Sequence, residues 1–215
     1  MKKMHIDIVS DIACPWCAIG YARLEQAMGQ LTSDYEFSIQ WHAFELNPDH
    51  SGEGEPILPA LAQKYGRSEE EMRATQNQMM TIARDLGLHF EKMQERFTCN
   101  TFDAHRLVKW AGEQGRQTEM KQALFEAYFG RAEDVSNHDV LVGCVESLGL
   151  DPAKAREVLN SDNYARMVRD DEATYQQAGV SAVPAFIVNS TYLISGAQEP
   201  SALVQAFEEI GAKSE

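Results

Sequence analysis

The chain has 215 residues, 44% of them apolar and 24% charged, an ordinary globular balance that rules out a disordered or collagen-like polymer. At ~100–200 residues per domain, the length fits one domain or one domain carrying a large insertion. With 19 Lys and Arg against 33 Asp and Glu the net charge is −14, which argues against nucleic acid and anionic lipid as partners, and no run of about 18 uncharged apolar residues offers a membrane span.

Lys2 and Lys3 open the chain, but the apolar stretch behind them, Ile6-Asp7-Ile8-Val9, is short and broken by a carboxylate, unlike the core of a secretion signal. The chain therefore reads as cytoplasmic, and its four cysteines are too few for a disulfide scaffold. Residues 5–10 are rich in β-branched side chains and predict a strand. Residues 15–29 carry Ile19, Ala22, Leu24, Ala27 and Met28 near helical spacing, with Pro15 at the favoured first helical position and Cys14 as the cap. A second strand at 37–41 completes a β-α-β unit. Residues 47–59 hold the prolines Pro48, Pro56 and Pro59 and read as a loop.

Helical signals then dominate. Ser68 and Glu71 form a capping box ahead of Met72, Met79, Ala83 and Leu86 on one face, and Gly87 ends that helix. Further helices are predicted at 100–113, 118–129, 138–148 with Gly149 after it, 152–159 behind Asp151, and 162–178 before Gly179. Residues 185–188 and 192–195 read as an antiparallel hairpin turning at Asn189-Ser190, and Leu203, Ala206, Phe207 and Ile210 mark a last amphipathic helix.

Cys14 and Cys17 enclose Pro15 and Trp16 where the first strand feeds the first helix. A lone CxxC is either half a zinc site or a redox dithiol. Cys99 and Cys144 stand apart and the histidines show no paired spacing, so no metal is expected. Beside a β-α-β unit the pair reads as thioredoxin-like. Free N–H groups at a helix start favour an anion, which makes the Cys14 thiolate easier to form than an ordinary one. Cys14 is then the attacking sulfur, Cys17, one turn inside, the resolving one, and Trp16 an apolar contact surface beside them. The plain alternative is two structural cysteines. Val183-Pro184 precedes the hairpin; the proline is either strand punctuation or, as in a thioredoxin fold, a cis-proline facing CxxC that leaves the Val183 backbone free for an extended substrate.

Several segments together resemble a known family. Ser10-Asp11-Ile12-Ala13-Cys14-Pro15-Trp16-Cys17, Phe44-Glu45-Leu46-Asn47-Pro48, the run from Asn100 to Leu107, the run from Gly179 to Phe186, and Ser195-Gly196-Ala197-Gln198 are similar, in order, to the FrnE-like branch of the DsbA family. The resemblance implies an α/β protein: a thioredoxin fold over 1–45 and 175–215, with an all-helical insertion over 46–174. It also implies thiol–disulfide exchange through Cys14 and Cys17, with Pro184 in cis. Substrates would be disulfide-containing proteins or small thiols, with no tightly bound cofactor and glutathione as a candidate co-substrate. Relatives include glutathione-dependent isomerases of 2-hydroxychromene-2-carboxylate and kappa-class glutathione transferases, which typically carry serine at the position of Cys14. That gives an alternative activity on small aromatic substrates, against which the intact dithiol speaks. A holdase using the methionine-rich helices is a non-enzymatic alternative.

Other residues have a functional and a plain reading. Asn100 and His105 could approach the site, where the histidine would stabilise a thiolate; the plain reading is a helix cap for Asn100 and a packed or solvated His105. Asp11 could relay a proton or raise a cysteine pKa, or be a solvated loop acid. Cys99 and Cys144 read as buried small apolar residues, and the methionines as core filling or a groove lining. Redox direction and oligomeric state are left open.

Overall fold

The computed structural model describes residues 1–213. Strand β1 (Lys2–Ser10), helix α1 (Pro15–Gln30) and strand β2 (Tyr35–Ala43) form the expected β-α-β unit. β1 begins earlier than predicted because parallel pairing with β2 starts at Lys2↔Tyr35, and the Lys2 N–H donates to the Asp34 carbonyl. At the other end of the chain β3 (Ala185–Val188), β4 (Tyr192–Ser195) and α9 (Pro200–Lys213) form a β-β-α unit. β3 lies antiparallel to β1 from Ile6↔Val188 to Val9↔Ala185, giving a four-stranded sheet of order β2-β1-β3-β4. This is the thioredoxin arrangement, with helices between its two halves.

Alternation along β1 sorts its side chains: Met4, Ile6 and Ile8 join the main core with Leu24, Leu203 and Phe207, while Val9 packs with Phe44, Val180 and Ala185 in a second cluster. The main core continues without a break into the intervening helices.

Those helices are α2 (Ile57–Tyr65), α3 (Glu69–Asp85), α4 (Phe102–Glu113), α5 (Gln117–Phe125), α6 (His138–Ser147), α7 (Pro152–Leu159) and α8 (Ala165–Gln177). The Ser68–Glu71 capping box is formed in both directions, and Gly87, Gly149 and Gly179 take positive φ just past the helix ends. Several boundaries differ from the sequence expectation, among them β2, which spans Tyr35–Ala43, and α8, which starts at Ala165 and not at 162. The loop ends at Pro56, not Pro59, because Ile57 and Leu58 bury as α2 begins. α4 starts at Phe102, since Asn100 stands outside it and accepts the Phe102 N–H on its side chain. α5 stops at Phe125 and a wider π turn, Glu126–Gly130, follows, which lets Ala127, Tyr128 and Phe129 all bury; a Cβ at Gly130 would sit 2.9 Å from the His89 carbonyl oxygen.

α4 is buried on every side from Ala104 to Ala111, so its polar residues must be satisfied internally. Arg106 binds Asp103 and the carbonyls of Val158, Ser161 and Asn163, while Lys109 binds Asp171 and the Trp41 carbonyl. These contacts tie the helical segment to itself and to β2.

Candidate active site

β1 delivers the chain to the mouth of α1, and the four residues after it turn so that Cys14 caps the helix in an extended conformation. Pro15 starts the helix where a missing N–H costs nothing. Cys14 is 5% exposed, and its Sγ donates to the Val183 carbonyl oxygen across 3.6 Å. Cys17 lies one turn in and is fully buried; its N–H donates to the Cys14 carbonyl at 3.1 Å, and the two thiols interact directly. Both sulfurs are unpaired thiols.

The Val183–Pro184 bond is cis. α1 approaches this loop closely at Gly20, where a Cβ would fall 2.9 Å from the Pro184 ring and 3.3 Å from the Ala197 methyl carbon. Any side chain at that crossing would have to displace the Pro184 ring. Trp16 is half-buried and, with Cys14, lines a cavity of about 1020 Å³. The sequence-predicted residues Cys14, Cys17, Trp16, Val183, Pro184, Asp11 and His105 thus gather around one helix terminus.

Asp11 is not a solvated loop acid. It is 1% exposed and accepts four hydrogen bonds: from the Ala13 N–H (3.3 Å), the Thr101 hydroxyl (2.8 Å), His105 Nε2 (3.4 Å) and the Leu46 N–H (2.8 Å). It pins the CxxC turn to the segment after β2 and to the start of α4. Burial alone would raise its pKa, but His105, Leu46 and Lys121 together hold the carboxyl below the usual range. His105 is packed, 2% exposed; burial and the neighbouring Lys121 keep its pKa low against the pull of Asp11. Asn100 reaches back to Glu45, donating at 3.1 Å.

Lys121 completes this layer and was not anticipated. It projects from α5, is fully buried, donates to the Ser10 carbonyl at 3.3 Å and lies 5.5 Å from the ring centres of Trp41 and Phe125. Burial lowers its pKa to about 8 although Cys17, Asp11 and Cys14 pull it up. A signal was available: Lys121 falls on the apolar stripe of Met120, Leu124 and Phe125, where a solvated lysine has no place. For Cys17, burial and then the adjacent Cys14 push the thiol well above its usual pKa, and Lys121 opposes them. The arrangement therefore offers one sulfur to a cavity and holds its neighbour over a sealed polar layer.

The other cysteines are buried, as expected: burial pushes Cys99 up to about 12 and Cys144 up to about 11. The methionines divide. Met120 is core, Met72, Met79 and Met93 line the cavity beside Cys14, and Met167 is exposed. Among the described residues, no group of three or more His, Cys, Asp or Glu is placed to hold a metal, and no helix is long and apolar enough to cross a membrane.

The family model of the DSBA-like thioredoxin domain matches residues 5–208. The crystal structure of a probable DsbA oxidoreductase from Streptomyces coelicolor superposes with a TM-score of 0.90 at 34% identity, covering 96% of this chain and 89% of that one. The uncharacterized protein YwbO of Bacillus subtilis is 26% identical over 192 residues, 88% of this chain and 89% of its own length. The cytosolic disulfide reductase DsbM of Pseudomonas aeruginosa, in a structure with GSH, shares the fold at a TM-score of 0.67 and 16% identity, covering 97% of this chain and 99% of that one.

Proposed function

The chain belongs to the DSBA-like thioredoxin family of oxidoreductases, and from that premise we propose that it exchanges thiols for disulfides through Cys14 and Cys17. The Cys14 thiolate attacks one sulfur of a substrate disulfide RS–SR′. A Cys14–S–S–R bond forms, the S–S bond breaks, and R′S⁻ leaves to be protonated. Cys17, once deprotonated, attacks the Cys14 sulfur; RS⁻ leaves and a Cys14–Cys17 disulfide remains. Two electrons pass from the dithiol to the substrate. Two equivalents of a thiol such as glutathione return the pair to its reduced state, and the reverse sequence oxidises a substrate dithiol. The reduction potential of the pair against that of its partner sets the direction.

One observation carries this reading: the thiol of the residue at the helix N-cap position lies at the edge of a cavity, with a second thiol next to it and within its reach. Lys121 acts as a positioning residue in this scheme, its cation reducing the cost of a thiolate at Cys17. Substrates are disulfide-bearing proteins or small disulfides. The GSH in the DsbM structure supports glutathione as the reducing partner here.

The test is a pair of variants assayed by insulin reduction. Cys14→Ser abolishes activity, whereas Cys17→Ser captures substrate and accumulates mixed disulfides visible by mass spectrometry. Wild-type turnover in both variants would end the reading.

A further inference from the structure

The cavity beside Cys14 holds two polar side chains that the protein leaves short of partners. Its lining includes Cys14 and Trp16 together with Gln76 of α3 and Arg96, the last two each 2% exposed. The Arg96 guanidinium donates through Nη1 to the Met93 carbonyl and, at 3.4 Å, to Gln76 Oε1. Its Nε has no acceptor, and Gln76 Nε2 has none either. The rings of Tyr128 and Phe129 lie 5.2 and 5.1 Å from the guanidinium carbon, which offsets part of the charge but gives the in-plane Nε–H no acceptor.

Comparison with the cations of α4 shows what is missing. Arg106 and Lys109, equally enclosed, each meet a carboxylate, Asp103 and Asp171. Arg96 meets none among the described residues, and the acids along the cavity, Asp49, Glu53 and Glu55, are exposed. An enclosed cation without a counter-charge is costly, and a guanidinium fork matches a carboxylate in geometry as well as charge.

We infer that Arg96 and Gln76 form a carboxylate-binding subsite, and that the substrates reaching Cys14 through this cavity are small disulfides and thiols bearing a free carboxylate. This rests on the thiol–disulfide reading above and adds its substrate class. The carboxylate docks on Arg96 and Gln76 while the attached sulfur meets Cys14. Attack then displaces one half of the disulfide as RS⁻ and retains the other as Cys14–S–S–R. The apolar contribution comes from Met72, Met79 and Met93, which adapt to a flexible ligand.

Two measurements test it. The first is calorimetric binding of S-methylglutathione, which carries the carboxylates but no reactive sulfur, to wild type, Arg96→Met and the milder Gln76→Leu. Binding to wild type weakens about tenfold in Arg96→Met and by a smaller factor in Gln76→Leu. The second is stopped-flow oxidation of the reduced protein by glutathione disulfide and by neutral bis(2-hydroxyethyl) disulfide. The ratio of the two rate constants falls about tenfold in Arg96→Met. An unchanged ratio in folded variants, or no binding of S-methylglutathione to wild type, overturns the subsite. An acidic peptide disulfide with the same Arg96 dependence overturns the restriction to small molecules. If neither disulfide oxidises wild type, the dithiol reading fails, while Arg96-dependent binding of S-methylglutathione would still support the subsite.

Discussion

Two sulfurs of one short motif meet opposite surroundings. Cys14 caps its helix beside a cavity of about 1020 Å³, next to Trp16 and the Val183 carbonyl. Cys17 points into a layer closed by Asp11, His105 and Lys121, each no more than 2% exposed and each from a different part of the chain. The helices between β2 and β3 build both surroundings: α2 and α3 line the cavity, while α4 and α5 supply the polar layer. The CxxC spacing supplies two thiols, and the packing against them gives each a different environment.

The sharpest way to break the sealed side is Asp11→Ala. Removing the acceptor leaves two backbone N–H groups, a hydroxyl and His105 buried without it, so chemical denaturation should register a loss of about 3–5 kcal/mol. A loss under about 1 kcal/mol would mean the layer is not the anchor of the turn.

Lys121→Met tests the same layer through pH. The lysine has a pKa near 10.5 in the unfolded chain and about 8 in the fold, so between those values the unfolded chain holds more protons and wild-type stability gains as pH rises. The variant lacks that gain. Its stability relative to wild type should therefore fall by about 3 kcal/mol from pH 7 to pH 10.5, and a flat difference would refute a buried, depressed lysine. At pH 7 the variant should also resolve mixed disulfides about tenfold more slowly, since Cys17 loses a stabilising cation.

Gly20→Ala probes the wall that both surroundings share. The new methyl group would meet the Pro184 ring at 2.9 Å, and overpacking of this kind costs about 1–3 kcal/mol, readable as a lower Tm. Trp16→Ala gives the smallest stability effect, within about 1 kcal/mol, because the ring is only half-buried. It should instead slow the capture of disulfides by Cys14 severalfold. Equal effects of Trp16→Ala on stability and capture would erase the contrast between the open and sealed sides.

Much of the molecule was readable in sequence where the causes are local. The β-α-β opening, the Ser68–Glu71 box, the glycine stops and the position of Cys14 before Pro15 depend on residues within a turn of each other. Boundaries slipped where distant packing intervened, as at Ile57, whose N–H is taken by the Arg96 carbonyl. Asp11 stood out as a neighbour of the motif, yet its environment could not be read, because its donors come from positions 13, 46, 101 and 105. Gly20 carried a weak signal, a glycine inside a helical run, without indicating what approaches it. Arg96 carried none: it belongs to no periodic stripe, and its surroundings come from α3 and from the π turn after α5.

The strand–helix junction, the order of the motif and the proline before the hairpin, and hence the kind of fold, were legible in the amino-acid order alone, because they follow from backbone preference and hydrophobic period over short stretches. Tertiary packing was needed to say what closes over Cys17, which cation sits beside it and which is left unpaired by the cavity. Burial and pairing depend on side chains that meet across the fold, and no local pattern specifies which of them will meet.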